Sequence, residues 1–416
     1  MSNRRVRLAD IAELTVGYVG NMAKQYTDTG VKFLRSLNIK PFHIVEDDLK
    51  YISEEFSGSL SKSILHENDL IIVRTGMPGT CCVVPKEYEN CNCADVVIVR
   101  PNLKKVNPHY LAAYINVWGK KQVEKNKVGA IQKHFNVKSA EEMLIDLPDL
   151  EQQYKVAKVL TDLNGKIFIN EKINDYLEQQ LQLLYDYWFT QYNFPNEDGQ
   201  PYKASNGLMV WNKMINHLIP ADWKVNPLST ICSFRNGVNY DKNVDGNTIY
   251  KIINVRNISS STLFLDESNF DEICLPKQQG DKYCVSDESI IIARSGIPGA
   301  TRILCNPGSN IIFCGFIICC TPYDDTLQNY LTLYLRQFEG SSATQTGGSI
   351  LKNVSQETLK NLIVPIPPQS LLNQFNDSIL PIYNLINSNT KENVQLITLR
   401  DWLLPMLMNG QATIED

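Results

Sequence analysis

Two short segments carry side chains suited to reading nucleic acid. Arg74-Thr75-Gly76-Met77-Pro78-Gly79 follows an apolar run, and Arg294-Ser295-Gly296-Ile297-Pro298-Gly299 repeats it. A guanidinium can reach a phosphate or a guanine edge, with the small hydroxyls of Thr75 and Ser295 beside it. Gly and Pro in the turn permit close approach of backbone to DNA. The same residues equally suit a structural turn whose Arg braces a strand. Arg35 and Asn38 align with Lys251 and Asn254 on two predicted strands. An Asn amide can pair with adenine in the major groove, although strand Asn is unusual and either could cap a strand end. Lys120, Lys121, Lys125, Lys127, Lys133 and His134 form the densest basic stretch of the first half, readable also as a solvated helix face. Gly347, Gly348 and Ser349 with Lys352 and Asn353 form the corresponding loop of the second half, a Gly-rich backbone with polar tips that suits a groove.

Catalytic chemistry is not evident. No Gly-x-x-x-x-Gly-Lys-[Ser/Thr] and no helix-opening Gly-x-Gly-x-x-Gly occurs, so neither a phosphate-cradling motor nor a dinucleotide fold is expected. The Asn/Asp-Pro-Pro-aromatic motif of amino-methyltransferases is missing. Five histidines show no paired ligand spacing. Cys81, Cys82, Cys91 and Cys93 are spaced too tightly for an ordinary zinc site, and Cys314, Cys319 and Cys320 read as core. No cofactor and no metal are expected.

The chain has 416 residues, a net charge of -5 and 43% apolar residues, a composition that predicts two to three folded domains. Net acidity argues against a non-specific nucleic-acid coat but leaves local basic patches open. No apolar run is long enough to span a bilayer, and no secretory leader is seen. With eleven cysteines, that suggests a reducing compartment and a cytoplasmic location without membrane association.

The elements that must position these residues come twice. The second half repeats the first at an offset near 220: Leu8 with Leu228, Gly17 with Gly237, Arg74 with Arg294. Two copies are too few for a solenoid and fit two similar domains about a pseudo-twofold axis. Each begins with a β-rich globular part; β-branched runs at 70–73, 95–99, 290–292 and 316–319 predict strands, and helices are expected near 108–123 and 327–338. Ser139 to Glu142 resembles a capping box.

Each copy ends in a long predicted helix. Its seam steps by four and three through Val156, Leu160, Leu163, Ile167, Asn170, Asn174, Leu177, Leu181, Leu184 and Trp188. The second copy runs Phe375, Ile379, Ile382, Ile386, Asn389, Asn393, Leu396, Arg400, Leu403 and Leu407. Such spacing is a coiled-coil signal, and core Asn fixes register, through Asn170 with Asn393 and Asn174 with Asn389 if the pair is antiparallel. A parallel pair would also match Asn with Asn. Arg400 is expected to snorkel outward and Pro381 to interrupt its helix. Aromatic residues 185–189 and apolar residues 402–408 could face partner proteins or the chain's own core. The expected layout is a first globular domain at 1–147, a helix at 148–190, a connector at 191–225 packed down by Trp211 and Trp223, a second globular domain at 226–365 and a helix at 366–412. The fold class is α+β.

This arrangement resembles type I restriction-modification specificity (S) subunits over nearly the whole chain. The residues that carry the likeness are Pro148 to Gln153 and, more loosely, Pro365 to Gln369, the Arg-[Thr/Ser]-Gly-x-Pro-Gly turns, and residues 347–353. The resemblance implies two target recognition domains, each reading one half of a split, asymmetric site in double-stranded DNA. It implies two spacer helices that pair antiparallel, set the half-site spacing and dock two methyltransferase subunits, with restriction (translocase) subunits able to join. It implies no catalysis by the chain itself. A helix over 154–188 would be roughly 50 Å long, more than the roughly 34–36 Å of one B-DNA turn. The competing expectation is a structural protein whose duplicated domains bind protein or glycan on a coiled-coil strut.

Overall fold

The computed structural model describes residues 4–119, 122, 135–240, 246–339, 354–408, 411, 412 and 414. The chain divides into two compact units: Met1–Ile169 with Gln395–Asp416, and Asn170–Val394.

The first unit is built on a four-stranded antiparallel sheet. Val96–Pro101 and Leu70–Val73 lie at its centre, flanked by Ala12–Val16 and Cys81–Val83. The central strands are unbroken apolar runs because both faces are covered. Leu70, Ile72, Val97 and Val99 pack toward the helices, and Ile71, Val73, Val96 and Ile98 pack toward a second layer. That layer holds a small mixed sheet in which Val31–Leu34 pairs antiparallel with Lys50–Ile52 and parallel with Asn92–Cys93. The second unit repeats both sheets. Cys232–Asn236, Ile317–Pro322, Ile290–Ala293 and Thr301–Ile303 form the larger one, and Thr248–Ile253 pairs with Asp271–Leu275 and Ile311–Phe313 in the smaller.

Each unit is closed by a two-stranded ladder. Arg4–Arg7 pairs with Leu144–Leu147, and Lys224–Pro227 pairs with Ile363–Ile366. Equivalent tyrosines brace the closure, Tyr110 donating to Asp146 O (2.8 Å) and Tyr330 to Pro365 O (2.6 Å). The long helices, Leu150–Tyr185 and Gln369–Met408, follow at once. Gln153 explains its motif: buried, it donates to Pro148 O (2.9 Å) and accepts from Asn107 N–H (2.8 Å). Gln369 is exposed and does not repeat this; Asn376, which donates to Thr326 O (2.9 Å), holds the second helix base.

The sequence alignment of the smaller sheets needs correction by three residues. Phe33 faces Asn92 and Ile252 faces Ile312 in the parallel ladders, so Arg35 corresponds to Asn254 and Asn38 to Asn257. Hydrogen bonds agree: Arg35 N–H donates to Asn38 Oδ1 (3.0 Å), and Asn254 N–H donates to Asn257 Oδ1 (2.8 Å). Lys251 therefore matches Lys32. The cap of the helix Val137–Glu141 is Asn136, which accepts from Ser139 N–H (2.9 Å), rather than Ser139.

No seam residue in either helix is exposed. Within the second unit, Asn170 donates to Asn393 Oδ1 (2.9 Å) and to Glu392 Oε2 (2.7 Å), while Asn389 donates to Asn174 Oδ1 (2.9 Å). Advancing along one helix means retreating along the other, so the segments run antiparallel. Asn170 is fully buried and its own Oδ1 finds no hydrogen-bond partner, so this layer costs stability for the register it imposes. Arg400 does not snorkel. It donates to Asn164 Oδ1 (3.0 Å), lies 5.3 Å from the Phe42 ring centroid and is 18% exposed. The second helix runs unbroken through Pro381, because the missing N–H frees only the carbonyl of Asp377, on the solvent side. The first helix ends in a π turn, Asp186–Thr190, which lets neighbouring Trp188 and Phe189 both enter the core against Phe375 (5.5 and 4.7 Å between ring centroids). Leu404, Leu407 and Met408 are core as well, leaving Trp402 as an exposed member of that cluster at 63%. Trp223 packs the connector down; Trp211 sits exposed on the hairpin of Met209–Asn212 with His217–Pro220.

A buried carboxylate ties helix to globular part in the second unit. Glu178 accepts from Leu263 N–H (3.0 Å), from the Thr262 hydroxyl and from both terminal nitrogens of Arg336 (3.2 and 3.1 Å). Glu178→Ala should lower unfolding free energy by about 2–3 kcal/mol, since Arg336 and an amide lose their partner; urea unfolding followed by Trp fluorescence checks this. Asn170→Leu should change stability by about 1–2 kcal/mol, because it removes the hydrogen bonds to Asn393 and Glu392 from a buried layer, and Asn170→Leu with Asn393→Leu should be no less stable than the single variant. A double variant less stable than the single one would contradict the register role.

Candidate nucleic-acid interface

The two Arg-Gly-Pro-Gly turns join the centre of each large sheet to its edge hairpin. Their hydrogen bonds superpose: Val73 N–H to Thr80 O (2.9 Å) and Gly79 N–H to Val73 O (3.1 Å), against Ala293 N–H to Ala300 O and Gly299 N–H to Ala293 O (both 2.9 Å). Gly76, Gly79, Gly296 and Gly299 all have positive φ, between 77° and 90°. A side chain would strain that backbone, which accounts for the repeated glycines.

The turn arginines differ in how far they are spent. Arg74 donates from Nε to Phe135 O (3.1 Å), lies 3.8 Å from Asp95 Oδ1 and is 17% exposed. Thr75 donates to the same Asp95 carboxylate. Arg74 therefore braces strands, and its charge is offset. Arg294 donates to Gly315 O (3.3 Å) and forms no ion pair among the described residues, and Ser295 is half-buried next to it. The turn is thus structural in the first unit and leaves a guanidinium available in the second. Phe135 closes the segment holding Lys127, Lys133 and His134. Those three, with Lys352 and Asn353, lie outside the described residues.

Other expected contacts are internal. Arg35 pairs with Asp48 (2.9 Å), whose carboxyl is held down to about 2 by Lys50 first and Arg35 next. Asn38 is fully buried and donates to Val45 O (3.0 Å) and Asp47 O (2.9 Å), so its amide is not available to a base; it pins a turn. Asn254 donates to Asp271 Oδ2 (2.9 Å). Lys251 is half-buried on its strand opposite Glu272. Cys81 and Cys82 face opposite sides of their strand, into different cores, and burial pushes both thiols up. Among the described residues no group of His, Cys, Asp and Glu could hold a metal. Sequence reading missed the Arg302–Glu339 bidentate pair (2.7 and 2.8 Å) at the end of the described segment 246–339. A single Arg inside an apolar strand was its one visible sign.

Two like α+β units, each closing onto a long helix, define a tandem-domain protein with duplicated surfaces. The chain belongs to the family described as the type I restriction modification DNA specificity domain, which matches twice, at residues 3–179 and 220–396. It is 25% identical over 292 residues to the type I restriction enzyme MjaIX specificity subunit of Methanocaldococcus jannaschii, covering 66% of this chain and 62% of that protein, so the match spans less than two thirds of that relative. It is 20% identical over 372 residues to the HindI specificity subunit of Haemophilus influenzae, covering 76% and 80%. The crystal structure of a type I restriction-modification S subunit from M. genitalium shares the fold, with a TM-score of 0.50, 12% identity and 97% and 95% coverage.

Arg294→Ala should weaken DNA binding alike on all sequences and reduce the salt slope by about 1. Arg74→Ala should instead lower stability by about 1–2 kcal/mol with little change in that slope. Salt-titrated binding and thermal unfolding separate the two.

Proposed function

We propose that this chain is the sequence-specificity subunit of a type I restriction-modification complex and catalyses nothing itself. Each unit reads one half of a bipartite site in double-stranded DNA. Because the two units differ in sequence, the halves differ, and the site is not a palindrome. The paired helices fix the spacing between the halves and dock two methyltransferase subunits; restriction subunits join the same assembly where the system has them. The reading places the protein in the cytoplasm with its DNA. The proposed layout keeps globular domains at 1–147 and 226–365, helices at 148–190 and 366–412, and a connector between.

The duplication carries this reading: the family domain occurs twice, on the same two sheets, and the turn arginine has a carboxylate beside it in the first unit. Mapping methylated bases across the genome of the source strain, with and without this gene, tests it. Deletion should abolish methylation at one split, asymmetric motif. An unchanged methylation pattern, together with no salt-dependent DNA binding by the chain, would sink it in favour of a protein-binding strut.

A further inference from the structure

The two units keep one scaffold around the Arg-Gly-Pro-Gly turn and change the side chains set on it. In the first unit Gly17 N–H donates to Val96 O (3.0 Å) and Tyr18 bridges Ala94, leaving Asp95 alone between the two partners. In the second, Gly237 N–H donates to Ile317 O (3.2 Å) and Val238 bridges Cys314, leaving Gly315 and Phe316 between. The turn arginine fixes the correspondence: Arg74 N–H donates to Asp95 O (3.4 Å), and Arg294 N–H to Phe316 O (3.0 Å). Gly315 and Phe316 together therefore take the place of Asp95: Asp95 N–H donates to Tyr18 O (3.4 Å) as Gly315 N–H donates to Val238 O (2.8 Å), and Phe316 is the extra residue that carries the arginine contact. Asn239, following Val238, takes the place of Val19, following Tyr18.

All four side chains are at least partly exposed. Val19 is 69% exposed, Phe316 63% and Asp95 43%, and Asn239 is exposed too. They sit on tightly built backbone. A Cβ on Gly237 would overlap the backbone carbonyls of Phe313 and Cys314, and the Asn239 amide lies over Gly315, where a Cβ would meet it. An exposed Phe anchored in this way, next to an exposed Asn and an Arg with no ion pair among the described residues, is not a scattered surface apolar residue. The three offer the reading chemistries of the major groove: apolar contact for a thymine methyl, an amide for the adenine edge, a guanidinium for phosphate or guanine.

We infer that Asn239 and Phe316, beside Arg294, are base-reading residues of the second unit. Asn239 makes the paired hydrogen bonds to adenine, and Phe316 packs on a thymine methyl. In the first unit Val19 stands where Asn239 does, and the Asp95 carboxylate is taken up by Thr75 and Arg74, so the same scaffold presents two different surfaces. The inference rests on the specificity-subunit reading and deepens it.

The test is selection from a randomised duplex library by the full chain assembled with its methyltransferase subunits. The unaltered assembly should return one split motif. Phe316→Ala should lose a preference for thymine at one position, and Asn239→Ala a preference for adenine at or beside it, each by about 5- to 150-fold. The other half-site and the spacing should stay unchanged. An unchanged motif for both variants would overturn the inference, as would affinity falling equally on every sequence. Failure of the unaltered assembly to enrich any motif would overturn the specificity-subunit reading itself, a result distinct from both.

Discussion

Burial of the large sheet on both faces constrains each unit more than any other feature. Leu70 to Val73 and Ile290 to Ala293 are buried along their whole length, so neither face of the sheet meets solvent there. One face is covered by helices and the other by the small mixed sheet. What remains for contact with anything outside is the rim, where the strands turn. The Arg-Gly-Pro-Gly turns lie on that rim because they join the central strand to its edge neighbour. Their positive-φ glycines make the path short and stiff, and a stiff rim can hold a side chain at fixed distance from a groove.

The helices were the most legible part of the sequence. A four-three seam from Val156 to Trp188 needs only the helical period to be read, and every position on it lies inward. The Asn layers were legible for a related reason: in a run of apolar seam residues, a repeated polar pair has few uses besides matching itself. What sequence could not settle was direction, which came from which Asn met which. Arg400 escaped for the opposite reason. Its environment, Phe42 and Asn164, comes from residues far away in sequence, and no local pattern signals an aromatic ring waiting beside a helix.

The β regions were harder to read. The runs at 70–73 and 290–292 were plain, yet the alignment of Arg35 with Lys251 slipped by three. Short strands carry little period, and Asn followed by a β-branched residue occurs near both ends. Only ladder partners fix such a register, and those partners lie some sixty residues along the chain. The same limit hid Glu178. On its helix it is a charged residue next to the seam, indistinguishable from a solvated one until Leu263 and Arg336 are placed against it. The candidate contacts divided likewise: Asn38 had a suitable amide for a base, but folding had already used it.

The rim has a further consequence, which concerns inheritance. Val19, Asn239 and Phe316 are largely outside the core, and replacements at exposed positions usually change stability by less than about 0.5 kcal/mol. The glycines beneath them tolerate almost nothing, and the sheet beneath the glycines tolerates little more. Mutation can therefore sample new chemistry at the outer positions while the population of folded molecules stays nearly constant. A lineage carrying this architecture drifts cheaply in what it contacts and expensively in how it is built, and each unit drifts independently of the other.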